Sequence, residues 1–376
     1  MLTNPLLGLR TLGQSVWIDY IHRDLLAGGG LQQLIEQDGV CGMTSNPAIF
    51  EHAIAASTSY DAEIRSLAGR GQGSSQIYEA LSQRDVQQAA DQFRAVYDTS
   101  RGCDGYVSLE VNPHLAHDAA GTIAEGKRLW RALDRPNVFI KVPGTDAGLI
   151  AIRELIGEGI NVNVTLLFAL PRYRAVIDAY LEGLEARLRR GLPLATVACV
   201  ASFFVSRIDS LVDPMLDALI AGGEPRASVA RAARGRVAIA SAKLAYQMYR
   251  HVFAHERFHV LAARGARVQR LLWASTSTKD PQFSDVKYVE ALIGADTINT
   301  MPLETIDAYR DHGRPETRLT LDLHEARSVI EGLGALGIDL DAVTTRLETE
   351  GIAKFNAPFD KLIGSIAAKA AGVPVA

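Results

Sequence analysis

Lys141 lies near the end of an apolar run, 137–146 (NVFIKVPGTD). The run is short, β-branched and aromatic, and Pro136 and Gly144 bound it, so it is predicted as a buried parallel strand. A lysine there faces the core or the rim of a sheet rather than bulk water. Burial disfavours a charged amine, which must then be paired or partly neutral. A neutral amine attacks carbonyl carbon, and that attack opens Schiff-base catalysis. Glu110 ends a second run, 107–111 (VSLEV), and Asp19 ends a third, 17–20 (WIDY). The plain alternative for Lys141 and Glu110 is a stabilising ion pair. Desolvation offsets most of the attraction in a buried pair, so clustered titrants favour a site over a staple. The plain alternative for Asp19 is a helix cap. It becomes an acid/base candidate by sharing a site with Lys141.

Polar residues recur at the ends of other apolar runs. Thr44 and Asn46 stand in 44–47 (TSNP), which also reads as an ordinary turn. Asn163 and Thr165 alternate onto one strand face, where bulky branched residues are the norm in a barrel. Two polar side chains at one level suggest a bound polar ligand or water. Ser202 and Arg207 stand in 202–207 (SFFVSR), with surface exposure as the ordinary fate of an arginine. Ser275 and Lys279 stand in 275–279 (STSTK). Hydroxyls, backbone N–H groups and a cation can cradle phosphate, and Arg207 can clamp it bidentately. A rival chemistry comes from 255–259 (HERFH), which matches the H-E-x-x-H zinc signature, with His251 one turn earlier. The plainer reading is a polar stripe on one long helix, with His251, His255 and His259 aligned by geometry. The segment is not at a strand end, and zinc is the minority reading.

These side chains need a frame that brings strand ends together. The chain has 376 residues, 48% hydrophobic and 22% charged, enough for a large core. Eight apolar runs near 16–19, 39–44, 105–111, 137–142, 160–166, 196–205, 268–275 and 296–301 are predicted as strands. Amphipathic stretches separate them, among them 146–158, 171–190, 214–221 and 228–263, and a C-terminal helix over 342–371 is expected to break near Pro358. Alternating strands and helices imply parallel pairing and right-handed crossovers. An open doubly wound sheet shares that pattern. No G-x-G-x-x-G follows the first run, and the polar residues converge only if the sheet closes. The expectation is therefore an α/β fold, one (β/α)8 TIM barrel over 1–376 with extra N- and C-terminal helices. A net charge of −4 recruits no nucleic acid. Three scattered cysteines form no disulfide or zinc pattern and fit a reducing cytoplasm. No signal peptide and no uncharged stretch of ~20 apolar residues is found, so no membrane partner is expected.

Taken in order, WID at 17–19, TSNP at 44–47, VSLE at 107–110, FIK at 139–141, NVTLLF at 163–168, SFFVSR at 202–207 and WAS at 273–275 resemble the transaldolase family, in its longer bacterial branch. The resemblance implies a class I aldolase barrel with no metal and no organic cofactor, sugar-phosphate substrates, and a place in the non-oxidative pentose phosphate pathway. It implies the Schiff base on Lys141, a proton-shuttling water between Glu110 and Thr165, and Asp19 acting on the hydroxyl whose deprotonation drives carbon–carbon cleavage. Asn46 and Asn163 would bind the dihydroxyacetone hydroxyls, with Thr44 beside them and Ser202 near the Schiff base. Arg207 and Ser275 would hold phosphate. The family often carries Ala-Ser-x-Arg at the seventh strand; here that position is Ser277, and Lys279 is expected to supply the charge. A fructose 6-phosphate aldolase is the nearest alternative, although such relatives tend to carry Gln in place of Glu110 and are much shorter. A barrel that binds sugar phosphate without turnover is a further one. A homo-oligomer is compatible with the sequence, which does not fix the number of copies.

Overall fold

Short β-branched and aromatic runs, each followed by a helix, can bury both faces only as central parallel strands. The computed structural model, which describes residues 4–372, shows eight of them. They are β1 (Gln14–Asp19), β2 (Gly42–Thr44), β3 (Tyr106–Glu110), β4 (Val138–Pro143), β5 (Val162–Leu167), β6 (Cys199–Phe204), β7 (Arg270–Ala274) and β8 (Thr297–Met301). They pair in parallel in chain order and close into a barrel, with β8 returning to β1. The expected (β/α)8 architecture is present. The extreme ends of the expected 1–376 unit, 1–3 and 373–376, lie outside the described residues.

Strand bounds are tighter than the apolar runs. The run at 39–44 yields a three-residue strand, because Gly39 adopts φ 69 at the end of helix Gly30–Asp38. Val40, Cys41 and Val197 are buried outside any strand, so hydrophobicity alone overstates strand length. The stretch 228–263 is three helices rather than one: Arg226–Ala233, Val237–Phe253 and Glu256–Ala262. His255 sits at the second break and caps the last helix, its Nδ1 accepting from the Arg257 N–H. The histidines therefore do not share one continuous helix, which corrects the expected stripe. Among the described residues, no group of three or more His, Cys, Asp or Glu is placed to hold a metal ion. The expected break at Pro358 does not occur either. Helix Leu340–Ala370 runs through it. The missing N–H is offset by tertiary packing: Phe355, Phe359, Leu362 and Ile366 are buried, and the helix lies against Pro47–Ala55, Asp61–Gly69 and Ser74–Gln92.

Inward residues stack in layers. Trp17, Tyr106 and Phe139 form an aromatic floor, with Tyr106 and Phe139 ring centroids 4.3 Å apart and Trp17 and Phe139 6.1 Å apart. The Trp17 indole N–H donates to Asp104 at 3.1 Å, which satisfies its one polar atom. Above this floor, toward the C-terminal end, the inward residues include Asp19, two positions beyond Trp17, Lys141, two beyond Phe139, and Glu110, which follows Ser108 on β3. Register sets Glu110 beside Lys141, Lys141 beside Asn163, and Asp19 beside Thr44. Gly42 makes room for the floor, because a Cβ there would fall inside the Trp17 indole. Gly42→Ala is expected to cost about 1–3 kcal/mol by overpacking. Equilibrium urea denaturation measures it, and an unchanged midpoint would show that the floor can move aside.

Candidate active site

A lysine in β4 at an inward position has nowhere to go but the barrel interior. Lys141 is 4% exposed. Its Nζ donates to the Ser45 carbonyl at 3.1 Å and stands 3.6 Å from Glu110 Oε2. The Phe355 ring, from helix Leu340–Ala370, lies 5.5 Å from the same nitrogen. The amine is thus flanked by a carbonyl, a carboxylate and an aromatic face.

Glu110 reaches this pair from β3. Both its carboxylate oxygens are buried without a hydrogen-bond partner among the described residues, as is Thr165 Oγ1. Desolvation pushes the Glu110 pKa up to about 7, against the pull of the Lys141 cation and with the help of the Asp19 charge. A carboxyl in that range can both give and take a proton near neutrality. Asp19 is also raised by burial, an effect opposed by Lys141 and by a hydrogen bond from Thr44 Oγ1 at 2.6 Å. Thr44 Oγ1 lies 2.7 Å from Thr300 Oγ1. With the Thr44 proton given to Asp19, Thr300 must be the donor in that second contact. Asp19 is not a helix cap: His22 caps the next helix through its Nδ1.

Asn163 and Ser202 form one unit. Asn163 Nδ2 donates to Ser108 Oγ at 3.0 Å, and its Oδ1 accepts from Ser202 Oγ at 2.7 Å. Asn46 does cap helix Pro47–Ala55, accepting from the Ile49 N–H at 3.0 Å, so the ordinary turn reading is realised. Its amide N–H groups have no protein partner among the described residues and remain for a ligand.

A cavity of about 600 Å³ opens at the C-terminal mouth of the barrel. Asp19, Thr44, Asn46, Lys141 and Ser202 line its polar depth; Arg207, from the first turn of the helix after β6, and Ser275 and Lys279, from the loop after β7, line it nearer the rim. Glu110, Asn163 and Thr165 stand behind that lining rather than in it. Burial pulls the Arg207 pKa down, while the charges of Asp19 and Glu350 act in the opposite sense. Ser275 holds φ 55, a left-handed conformation that is uncommon for a residue with a Cβ, and its Oγ lies 3.1 Å from Ser206 Oγ. Lys279 Nζ donates to Ser277 Oγ at 2.7 Å, and both side chains line the cavity. Two cations and two hydroxyls at one rim suit a phosphate.

Several site residues escape sequence reasoning. Ser45 offers its carbonyl to Lys141 and ties its own Oγ to the Ser108 carbonyl at 2.7 Å. Thr300 completes the Asp19 network. Leu347, Lys354 and Phe355 bring the C-terminal helix over the mouth. Its amphipathic pattern signalled a buried face but not the surface that buries it.

The family model described as Transaldolase/Fructose-6-phosphate aldolase matches residues 16–366. Transaldolase 2 of Nostoc sp. (strain PCC 7120) is 48% identical over 374 residues, covering 98% of this chain and 98% of its own. Transaldolase of Frankia alni is 48% identical over 368 residues, with 97% of each chain covered. Transaldolase 1 of Streptomyces coelicolor is 48% identical over 356 residues, covering 94% of this chain and 92% of its own.

The raised Glu110 pKa has a measurable consequence. Its folded value of about 7 lies above the ordinary 4.5, so the neutral form favours the fold. That contribution is full below the unfolded value and is lost as pH rises through about 7. An infrared titration should show a carboxyl C=O band that vanishes with a midpoint near 7 and is missing in Glu110→Gln. A midpoint at the ordinary value would contradict the desolvated environment.

Proposed function

The chain belongs to the transaldolase/fructose-6-phosphate aldolase family, and on that premise we propose that it is a transaldolase. It moves a dihydroxyacetone unit from sedoheptulose 7-phosphate to glyceraldehyde 3-phosphate, releasing erythrose 4-phosphate and forming fructose 6-phosphate. The observation that carries this reading is the buried Lys141 amine, 3.6 Å from Glu110, at the base of a cavity rimmed by Arg207 and Lys279.

The positions of the groups support the following chemistry. Lys141 Nζ, as the neutral amine, adds to the ketose C2 and gives a carbinolamine. Glu110, protonated below about 7, supplies the proton with which the C2 hydroxyl leaves as water, relayed by a water between it and Thr165. The resulting iminium is the electron sink. Asp19, made more basic by burial, takes the proton of the C4 hydroxyl. The C3–C4 bond breaks, its electron pair passes into the enamine, and the aldose departs. The acceptor aldehyde then enters and the steps run in reverse, Asp19 returning its proton to the new hydroxyl. Asn46 and Ser202 contact the dihydroxyacetone hydroxyls, with Asn163 fixing Ser202 from behind. Arg207, Ser275 and Lys279 hold the phosphate at the far end, so distal binding energy orients the reacting carbons.

Such a reaction belongs to the non-oxidative pentose phosphate pathway. A cytoplasmic site for it is supported by three unpaired cysteines, Cys41, Cys103 and Cys199. Among the described residues, no helix is long and apolar enough to cross a membrane.

Borohydride with fructose 6-phosphate should add a reduced dihydroxyacetone or hexose phosphate to the peptide carrying Lys141. Lys141→Ala should lose both the adduct and the transfer; substantial residual turnover would rule out the amine as nucleophile. The transfer requires an acceptor aldehyde, whereas an aldolase of the same family would release free dihydroxyacetone without one. Lys279→Ala should raise KM for phosphorylated sugars about tenfold with a smaller change in kcat, as expected when a charge-assisted bond to phosphate is lost. An unchanged KM would remove Lys279 from the phosphate site.

A further inference from the structure

Glu110 faces two ways. Its partner Lys141 opens onto the mouth, yet Glu110 itself lines a separate small cavity of about 50 Å³ on the flank of the barrel. The walls come from helix Ser74–Gln92 (Tyr78, Ser82), helix Ala119–Leu133 (Glu125, Leu129) and Phe359 of the C-terminal helix. That volume holds roughly three waters. The walls are polar enough to bind them. Ser82 is 1% exposed, with its hydroxyl directed at the Glu79 carbonyl 3.3 Å away. Glu125 accepts the Asn112 N–H at 3.2 Å. Burial and the charge of Glu110 raise the Tyr78 pKa, so the phenol stays neutral and keeps its O–H. The exposed residue Ser75 lines the same cavity, which places its outer end at solvent.

During Schiff-base chemistry the sugar occupies the mouth, with its phosphate at the rim near Arg207 and Lys279. The reaction nevertheless releases one water when the carbinolamine dehydrates and consumes one when the iminium is hydrolysed. We propose that the side cavity is the water port of this site: it passes the water lost at dehydration out to solvent and admits solvent water for hydrolysis. At dehydration the C2–O bond breaks, the oxygen leaves with the Glu110 proton as water, and the nitrogen lone pair forms the iminium. At hydrolysis a water from the cavity adds to C2 and gives its proton back to the Glu110 carboxylate. This inference rests on the transaldolase reading and adds the path that its water takes.

Oxygen exchange tests the port. In H2¹⁸O, the protein should exchange the carbonyl oxygen of fructose 6-phosphate, since each dehydration and rehydration swaps one oxygen. Ser82→Leu fills the cavity from one wall. It should slow both exchange and kcat at least about tenfold, within the range of a proton-transfer defect, while KM for fructose 6-phosphate stays within about twofold. Ser82→Ala, which removes the hydroxyl without filling the space, should keep both rates. Leu129→Phe fills the cavity from the opposite wall and replaces Ser82→Leu if that variant does not fold. A folded, filled variant that exchanges oxygen at the unaltered rate overturns the port, as does an equal loss in Ser82→Ala. Failure of borohydride trapping in the unsubstituted protein sinks the transaldolase reading and the port with it; normal trapping with unaltered exchange in the filled variants sinks the port alone.

Discussion

An amine and a carboxyl group held in the barrel interior, 3.6 Å apart and almost without solvent, set the terms for the rest of this structure. Neither charge can be buried cheaply. The effective penalty is several kcal/mol per ion, and their attraction recovers it only with good supporting contacts. The Lys141–Glu110 pair is not so supported. The contact is longer than a good hydrogen bond, and Glu110 has no other protein partner for either oxygen among the described residues. As a staple it would be poor. As part of a site it is better placed: burial raises the Glu110 pKa to about 7, so this carboxyl can give and take a proton near neutrality beside the Lys141 amine.

The frame around the pair absorbs this unfavourable placement. Below it, the buried rings of Trp17, Tyr106 and Phe139 stack as an apolar floor. At its own level, hydroxyls and one amide satisfy one another: Ser108, Asn163 and Ser202 form one chain, and Asp19, Thr44 and Thr300 form another. Such networks are rigid because breaking any member leaves a buried polar group unpaired. Rigidity here serves orientation. Asp19 and Ser202 face the cavity, each held by a hydrogen bond, while Glu110 stands behind the amine. Above, Phe355 closes over Lys141, and His114 pairs with Asp360 at 2.7 Å to tie the C-terminal helix to the segment after β3.

Asp19 and Glu110 lie deep, where burial raises their proton affinity, while Glu304 and Glu350 line the cavity nearer solvent. Arg207, in the first turn of the helix after β6, and Lys279, in the loop after β7, line the same cavity. In the loop after β7, Lys279 donates to Ser277 at 2.7 Å and keeps a positive charge at the cavity, a flexible point charge rather than a planar fork.

Much of this was legible in the residues. Eight apolar runs alternating with amphipathic stretches implied a parallel α/β fold, a pattern an open sheet shares; polar and titratable residues at their ends, Lys141, Glu110 and Asp19 among them, favoured the closed barrel, because a barrel brings its strand ends to one mouth. Periodicity was less informative about bounds and breaks: Val40 and Cys41 are apolar and buried yet outside a strand, the 228–263 stretch is divided by Gly235 and His255, and Pro358 does not interrupt its helix. Side-chain type and spacing determine which face of an element avoids water; they do not determine what meets that face. The partner surfaces were decided only by the tertiary structure. It brought Phe355 over an amine more than two hundred residues away in the chain, gave that amine the Ser45 carbonyl, and turned Glu110 toward a flank cavity as well as toward Lys141. Each of these contacts joins groups whose separation along the chain carries no local signal, because the free energy that selects them comes from closing the barrel and packing the last helix across it.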